Sequence, residues 1–289
     1  MKLGDFLSKR FDAYDVDTKT YHTIRDAGLF ANLCWMIRKV SLMELHGYKV
    51  ENINFILHEY IPKTSAYDFL FEKNNLSIDL FNLSDEDKLN FYQNTDYSPY
   101  GLGNNLRDIN LKITNPIISK FFTPNQEVFG WYDRFVNQIG GDIKNVIFIW
   151  ARRTDKVSES KMPEVKSYLK ILDEIGTTNK KILIQTDDIS VLNEFENSGI
   201  EFYKLSDIPF STKPRKPFHL NLNDTSNEEF IRTYGITKVD YLRQMLALSL
   251  IAKNAYKTIL YPGNPSTYIP LIKGSFEDCF LFRDDVNLF

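Results

Sequence analysis

Apolar residues recur along this chain with two different spacings, and the change from one to the other divides it. In DAGLFANLCWMIRKVSLMELHGY, residues Leu29, Leu33, Met36, Ile37, Val40, Met43 and Leu45 fall near the helical period, and His46-Gly47 closes the helix as a C-cap. VENINFIL, at 50–57, then predicts a strand, and SAYDFLFEK, at 65–73, a short amphipathic piece. From Leu76 to Asn115 the sequence is asparagine-rich and weakly periodic, with turn signals at Ser98-Pro99 and Gly101-Leu102-Gly103, which predicts mostly loop. Helical spacing resumes in FFTPNQEVFGWYDRFVNQI behind the Thr123-Pro124 start signal.

At Gly140-Gly141 the pattern changes. NVIFIWARR is a continuous apolar run, as expected of a strand buried on both faces. It opens an alternation of strand and helix: VIFIWA, PEVKSYLKILDEI, KKILIQT, SVLNEFENSG and IEFYKL. Such alternation predicts a parallel sheet with helices on both faces, that is, an α/β Rossmann-like domain. Beyond the Pro-rich link PFSTKPRKPF come the helix VDYLRQMLALSLIAKNA and then TILYPGNPSTYIPLI, read as a strand, a glycine turn and a helix start. The expected organisation is an N-terminal acceptor-side domain over 1–140 and a C-terminal nucleotide-sugar-binding domain over 141–289. At 289 residues the chain is long enough for two domains of roughly 140 residues, each with its own core.

Composition narrows the function classes. With 43% hydrophobic residues, 25% charged residues and a net charge of -3, nothing argues for disorder. No lysine or arginine run exceeds a pair, so no nucleic-acid partner is expected. Cys34 and Cys279 lie far apart, and Cys34 falls within an apolar helix, so both read as buried thiols in a reducing, cytoplasmic setting. No apolar run approaches membrane-spanning length and MKLGDFLSKRFDAYD is interrupted by charge, so no transmembrane segment is expected.

Chemistry is expected where ligands of doubly wound sheets bind, beyond the carboxyl ends of the strands. Three loops meet that condition: RRTDKVSESKMP, DDIS and PGNPST. In the first, Arg152 and Arg153 can grip a diphosphate through paired hydrogen bonds and neutralise a departing nucleotide; the alternative is solvated charges paired with Asp155. In the second, Asp188 suits a helix N-cap, and Asp187 is placed to meet the arginine loop or the donor. In the third, Gly263, Ser266 and Thr267 can present amides and hydroxyls to a phosphate, although they are also ordinary turn formers. Gly28 and Asn32 lie in DAGLFAN, a helix-start loop able to aim amides at an anion; a plain helix-start glycine is the alternative. His22, His46 and His58 lack ligand-like spacing, and no DxD-type triplet sits in a suitable loop, so neither a metal nor another cofactor is expected. His219, in a polar loop, reads as a surface residue. No G-x-G-x-x-G follows the first strand of either half, which disfavours a dehydrogenase.

At RRTDK the sequence resembles the α1,6-fucosyltransferases and their rhizobial nodulation relatives. The matching segments are VIFIWARRTDKVSE with Tyr168 beyond it, KKILIQTDDISVL, and LALSLIAKNAYKTILYPGNPST; GLFANLCWMI resembles the family's glycine-aromatic loop and first helix. The resemblance implies a GT-B fold, with two Rossmann-like domains facing a central cleft, and inverting, metal-independent transfer of fucose from GDP-fucose to a glycan hydroxyl. It implies that Arg152 holds the donor diphosphate, that Arg153, Asp155 and Lys156 shape the pocket, and that Glu159 takes the acceptor proton. Gly28, Asn32, Tyr168, Asp187, Asp188, Gly263, Ser266 and Thr267 fall at or near further donor-site positions. Two departures stand out: Trp150 replaces a family histidine, and an aspartate of the late helix falls near Ala247. Both family residues help read guanine, so a different nucleotide sugar is one alternative, and a non-catalytic nucleotide- or glycan-binding protein is another.

Overall fold

The computed structural model describes residues 12–24, 27–57, 60–61, 64–78, 80, 83–94, 107–152, 163–209, 225–261, 263–283 and 286–287. The chain divides into two compact units. One comprises Met1–Glu127 with Pro270–Ser275, the other Val128–Ile269 with Phe276–Phe289.

The first unit is organised on strands β1 (Asp12–Asp15), β2 (Thr20–Ile24) and β3 (Asn52–Ile56), in the order β1-β2-β3. Strands β1 and β2 form an antiparallel hairpin whose turn is held by Asp15 Oδ1, which accepts from the N–H groups of Asp17 and Thr18 at 2.9 and 3.1 Å. Helix α1 (Leu29–Leu45) crosses over from β2 to the parallel β3, a βαβ unit. Fourteen of its seventeen residues are buried, so it is a core helix rather than a surface one. It ends as expected: Gly47, at φ 80°, donates to the Glu44 carbonyl, and the Glu44 carboxylate accepts from Val50 N–H at 2.7 Å to turn the chain toward β3.

Helix α2 (Tyr67–Leu70) and strand β4 (Phe71–Glu72) follow, β4 pairing with β5 (Thr123–Pro124). The expectation of loop over 76–115 is corrected, because this stretch contains α3 (Asp85–Asn94) and the start of α4 (Arg107–Phe121). Helix α3 begins with three acidic residues, favourable at the positive end of the helix dipole, and Ser84 Oγ accepts from Asp87 N–H at 3.1 Å. Helix α4 runs through Pro116 despite the missing donor and packs against α1, with Ile113, Ile117 and Phe121 fully buried.

The second unit starts within α5 (Gln126–Gln138) and is built on strands β6 (Val146–Ala151), β7 (Lys181–Thr186), β8 (Lys257–Leu260), β9 (Cys279–Arg283) and β10 (Val286–Asn287). Their order is β10-β9-β8-β6-β7. All pairings are parallel except that of β10 with β9. Strand β6 is central and buried at all six positions, which is why its sequence is uniformly apolar. On one face, Ile147, Ile149 and Ala151 pack with Ile182 and Ile184 of β7 beneath α6 (Val165–Ile175) and α7 (Ile189–Asn197). On the other face lie Phe148 and Trp150, edge to face at 5.8 Å. The strand expected at IEFYKL reduces to a single bridge between Tyr203 and Leu183. Three elements then complete the unit: α8 (Asn227–Tyr234), α9 (Lys238–Asn254) and α10 (Asn264–Lys273), the last closing its final turn in the first unit. Cys34 and Cys279 are both buried free thiols, as expected, and burial pushes the Cys34 thiol far above its ordinary range.

Candidate functional site

Strand β6 has β7 on one side, reached through α6, and β8 on the other. The direction of winding therefore reverses at β6, and such a switch point opens a crevice beyond the carboxyl ends of the strands. The residues leaving that edge are Arg152 after β6, Asp187 and Asp188 after β7, and Tyr261 and Gly263 after β8. Ala151 pairs with Thr186 and Trp150 with Leu260, so the three exits lie side by side. Tyr261 N–H donates to the Trp150 carbonyl at 3.0 Å, which extends the sheet by one residue toward the site.

Arg152 and Asp187 are the next residues along from the last β6–β7 pair. Arg152 Nε donates to Asp187 Oδ2 at 2.8 Å, with 23% and 18% of the two side chains exposed. The pair is thus neither a solvated surface contact nor a sealed core pair. Asp188 faces the other way. It is fully buried and caps α7, its Oδ1 accepting from Ser190 N–H at 2.8 Å while its own N–H donates to Thr186 Oγ1 at 3.2 Å. Asp188→Ala is expected to cost about 1 kcal/mol through the lost cap. Urea unfolding checks this, and an unchanged midpoint would show that the cap contributes nothing.

The turn after β8 is packed tightly. A Cβ on Gly263 would lie 2.4 Å from Tyr261 Cε2, so the Tyr261 ring occupies the space that any larger residue needs. Ser266 Oγ donates to the Tyr261 carbonyl, and both Ser266 and Thr267 are 2% exposed. The hydroxyl of Ser266 therefore fastens the turn to the start of α10. Sequence reasoning missed Tyr261, although the run Y-P-G at a strand end was a signal for a braced turn.

Tyr168 lies on the inner face of α6. Its ring is 2% exposed and packs edge to face on Phe195 at 5.9 Å and Phe282 at 4.8 Å, within the core of the second unit. Arg153, Asp155, Lys156, Glu159 and His219 lie outside the described residues. Gly28 and Asn32 belong to the first unit. Gly28 is the N-cap of α1, with no side-chain cap and open space where a Cβ would stand. Asn32 is 1% exposed, and its Nδ2 donates to the carbonyls of Ala27 and Gly28 at 2.6 and 3.3 Å. This side chain braces its own loop from within.

Among the described residues no group of three or more His, Cys, Asp or Glu is gathered so as to hold a metal ion, and no helix is long and apolar enough to cross a membrane. No family model matches the chain, and no curated protein sequence matches it. Solved structures do. The NodZ α-1,6-fucosyltransferase soaked with GDP-fucose aligns with a TM-score of 0.50 and 12% identity over 86% of this chain and 91% of that one. The same enzyme co-crystallised with GDP gives 0.50 and 12% over 86% and 90%. The NodZ fucosyltransferase from Bradyrhizobium gives 0.51 and 11% over 89% and 95%. The chain has their fold. It is an α/β protein of GT-B type, resembling at low identity a fucosyltransferase, and the loops after β6, β7 and β8 leave the carboxyl edge of a parallel sheet in that fold.

Proposed function

We propose that this chain is an inverting glycosyltransferase that moves fucose from GDP-fucose to a glycan hydroxyl without a metal ion. The observation that carries the reading is the half-buried guanidinium of Arg152 at the switch point of the sheet, paired with Asp187, in a fold shared with an enzyme crystallised with GDP. A fixed cation at that edge suits a leaving diphosphate: as the bond from the sugar to the phosphate oxygen breaks, negative charge grows on the nucleotide and is met by preorganised donors. The acceptor oxygen bonds to the anomeric carbon from the opposite side, and its proton passes to Glu159 as general base. The neighbours' ligands support a GDP-sugar donor.

A second reading changes the donor. Trp150, where the resembled family carries a histidine that reads guanine, is 6% exposed, and Ala247, near which the family's guanine-reading aspartate falls, is fully buried. Thermal-shift measurements with GDP, UDP, TDP and CDP and their sugars separate the two. A ligand that binds only the folded protein stabilises it by about 2.7 kcal/mol at a hundredfold excess over its Kd, which is several degrees for a protein of this size. GDP and GDP-fucose are expected to give the largest shifts. A shift confined to another nucleotide selects the second reading, and none at all overturns both.

A further inference from the structure

We infer that Asp187 is a positioning residue, one that acts on the donor through Arg152 and does not touch the nucleotide itself; this rests on the reading of Arg152 as the diphosphate's partner. The two aspartates after β7 are adjacent in sequence and divide their work. Asp188 is turned back and buried as the cap of α7, and its backbone N–H is tied to Thr186. Asp187 is therefore held between a sheet residue and a helix cap, with little backbone freedom. Across the parallel pairing of Ala151 with Thr186, that fixed point stands beside Arg152.

The chemistry of the contact assigns its role. A guanidinium is a planar fork, and the donation at 2.8 Å goes through Nε, the nitrogen nearest the chain, so the contact fixes the plane and swing of the whole group. A guanidinium already held in one orientation meets charge that develops as the bond breaks without having to reorganise at that moment. A carboxylate this close to a diphosphate repels it unless the arginine stands between them. Asp187 therefore weakens the attraction of Arg152 for an anion and contributes orientation instead, which matters most in the transition state, where charge is developing on the leaving group.

The test compares the wild-type protein with Asp187→Asn, Asp187→Ala, Arg152→Ala and the double variant Arg152→Ala/Asp187→Ala. GDP binding is measured by calorimetry, and turnover as GDP release from GDP-fucose with water and with a panel of acceptor glycans. Both Asp187 variants are expected to lower kcat by about 10- to 100-fold while GDP affinity is unchanged or tighter, Asn being milder than Ala. The double variant is expected to be no slower than Arg152→Ala alone, since the two residues act as one unit. Loss of GDP affinity in Asp187→Ala, or losses from the two sites that multiply, would overturn the proposal and make Asp187 a ligand in its own right. A wild type that neither binds GDP nor consumes GDP-fucose would instead overturn the donor reading, and this proposal with it.

Discussion

Arg152→Ala is expected to lower transfer from GDP-fucose by about a thousandfold or more in kcat/KM, in a protein that still folds. The size follows from what the guanidinium does. In the proposed reaction it meets a growing negative charge from a half-buried position, where the attraction is less screened than at an open surface. Arg152→Lys keeps the charge but loses the planar fork, and with it the Nε contact to Asp187, so it is expected to recover only part of the rate. Alanine also leaves Asp187 without this ion pair, so a melting curve belongs beside every rate. GDP release from GDP-fucose is the measurement, and near-normal turnover in a folded Arg152→Ala protein would sink the assignment.

The second large effect falls on stability. Tyr168→Ala is expected to destabilise the protein by about 3–5 kcal/mol, because removing a fully buried ring from between Phe195 and Phe282 leaves a cavity that helix α6 and the sheet cannot close. Tyr168→Phe keeps the ring and loses only the hydroxyl's hydrogen bonding, a cost of about 0.5–1.5 kcal/mol. Denaturant unfolding of both variants, with GDP binding measured at a temperature where each is folded, gives the answer. A Tyr168→Ala protein that unfolds at the wild-type midpoint but no longer binds GDP would move this residue from the core to the donor site.

The sequence showed the second unit better than the first, for a physical reason. Strand β6 is covered on both faces and so is a continuous apolar run, and β7 and β8 carry the shorter apolar runs of Ile182, Leu183 and Ile184 and of Ile259 and Leu260. Strand β2 carries its signal only in alternation, with Tyr21 and Thr23 inward and Thr20 and His22 half exposed, over five residues and behind a polar start. Helix α4 was hidden by Pro116 and by asparagines that favour turns, and its formation follows from packing against α1 rather than from propensity. Helix α8 was legible but unread: Ser226 and Glu229 have the spacing of a capping box, Ser226 Oγ accepts from Glu229 N–H, and Gly235 takes the left-handed turn that stops the helix.

At the site, the strand ends were readable because each apolar run stops at a charged or turn residue. The partnership of Arg152 with Asp187 came within reach of sequence reasoning, since adjacent parallel strands bring their exits together. The burial of Tyr168 was also on view: Val165, Tyr168, Ile171 and Leu172 make one helical stripe. Asn32 was harder, because only the folded loop shows that its amide turns inward to Ala27 and Gly28.

Strand β6 has one further consequence. Its backbone is bonded to a neighbour on each side and its six side chains are buried, so no partial fraying at a sheet edge releases it. Arg152 is the first residue beyond it. The anchor of the proposed donor site is therefore expected to be as durable as the most slowly exchanging amides of the second unit, and heat should displace it only when that whole sheet opens.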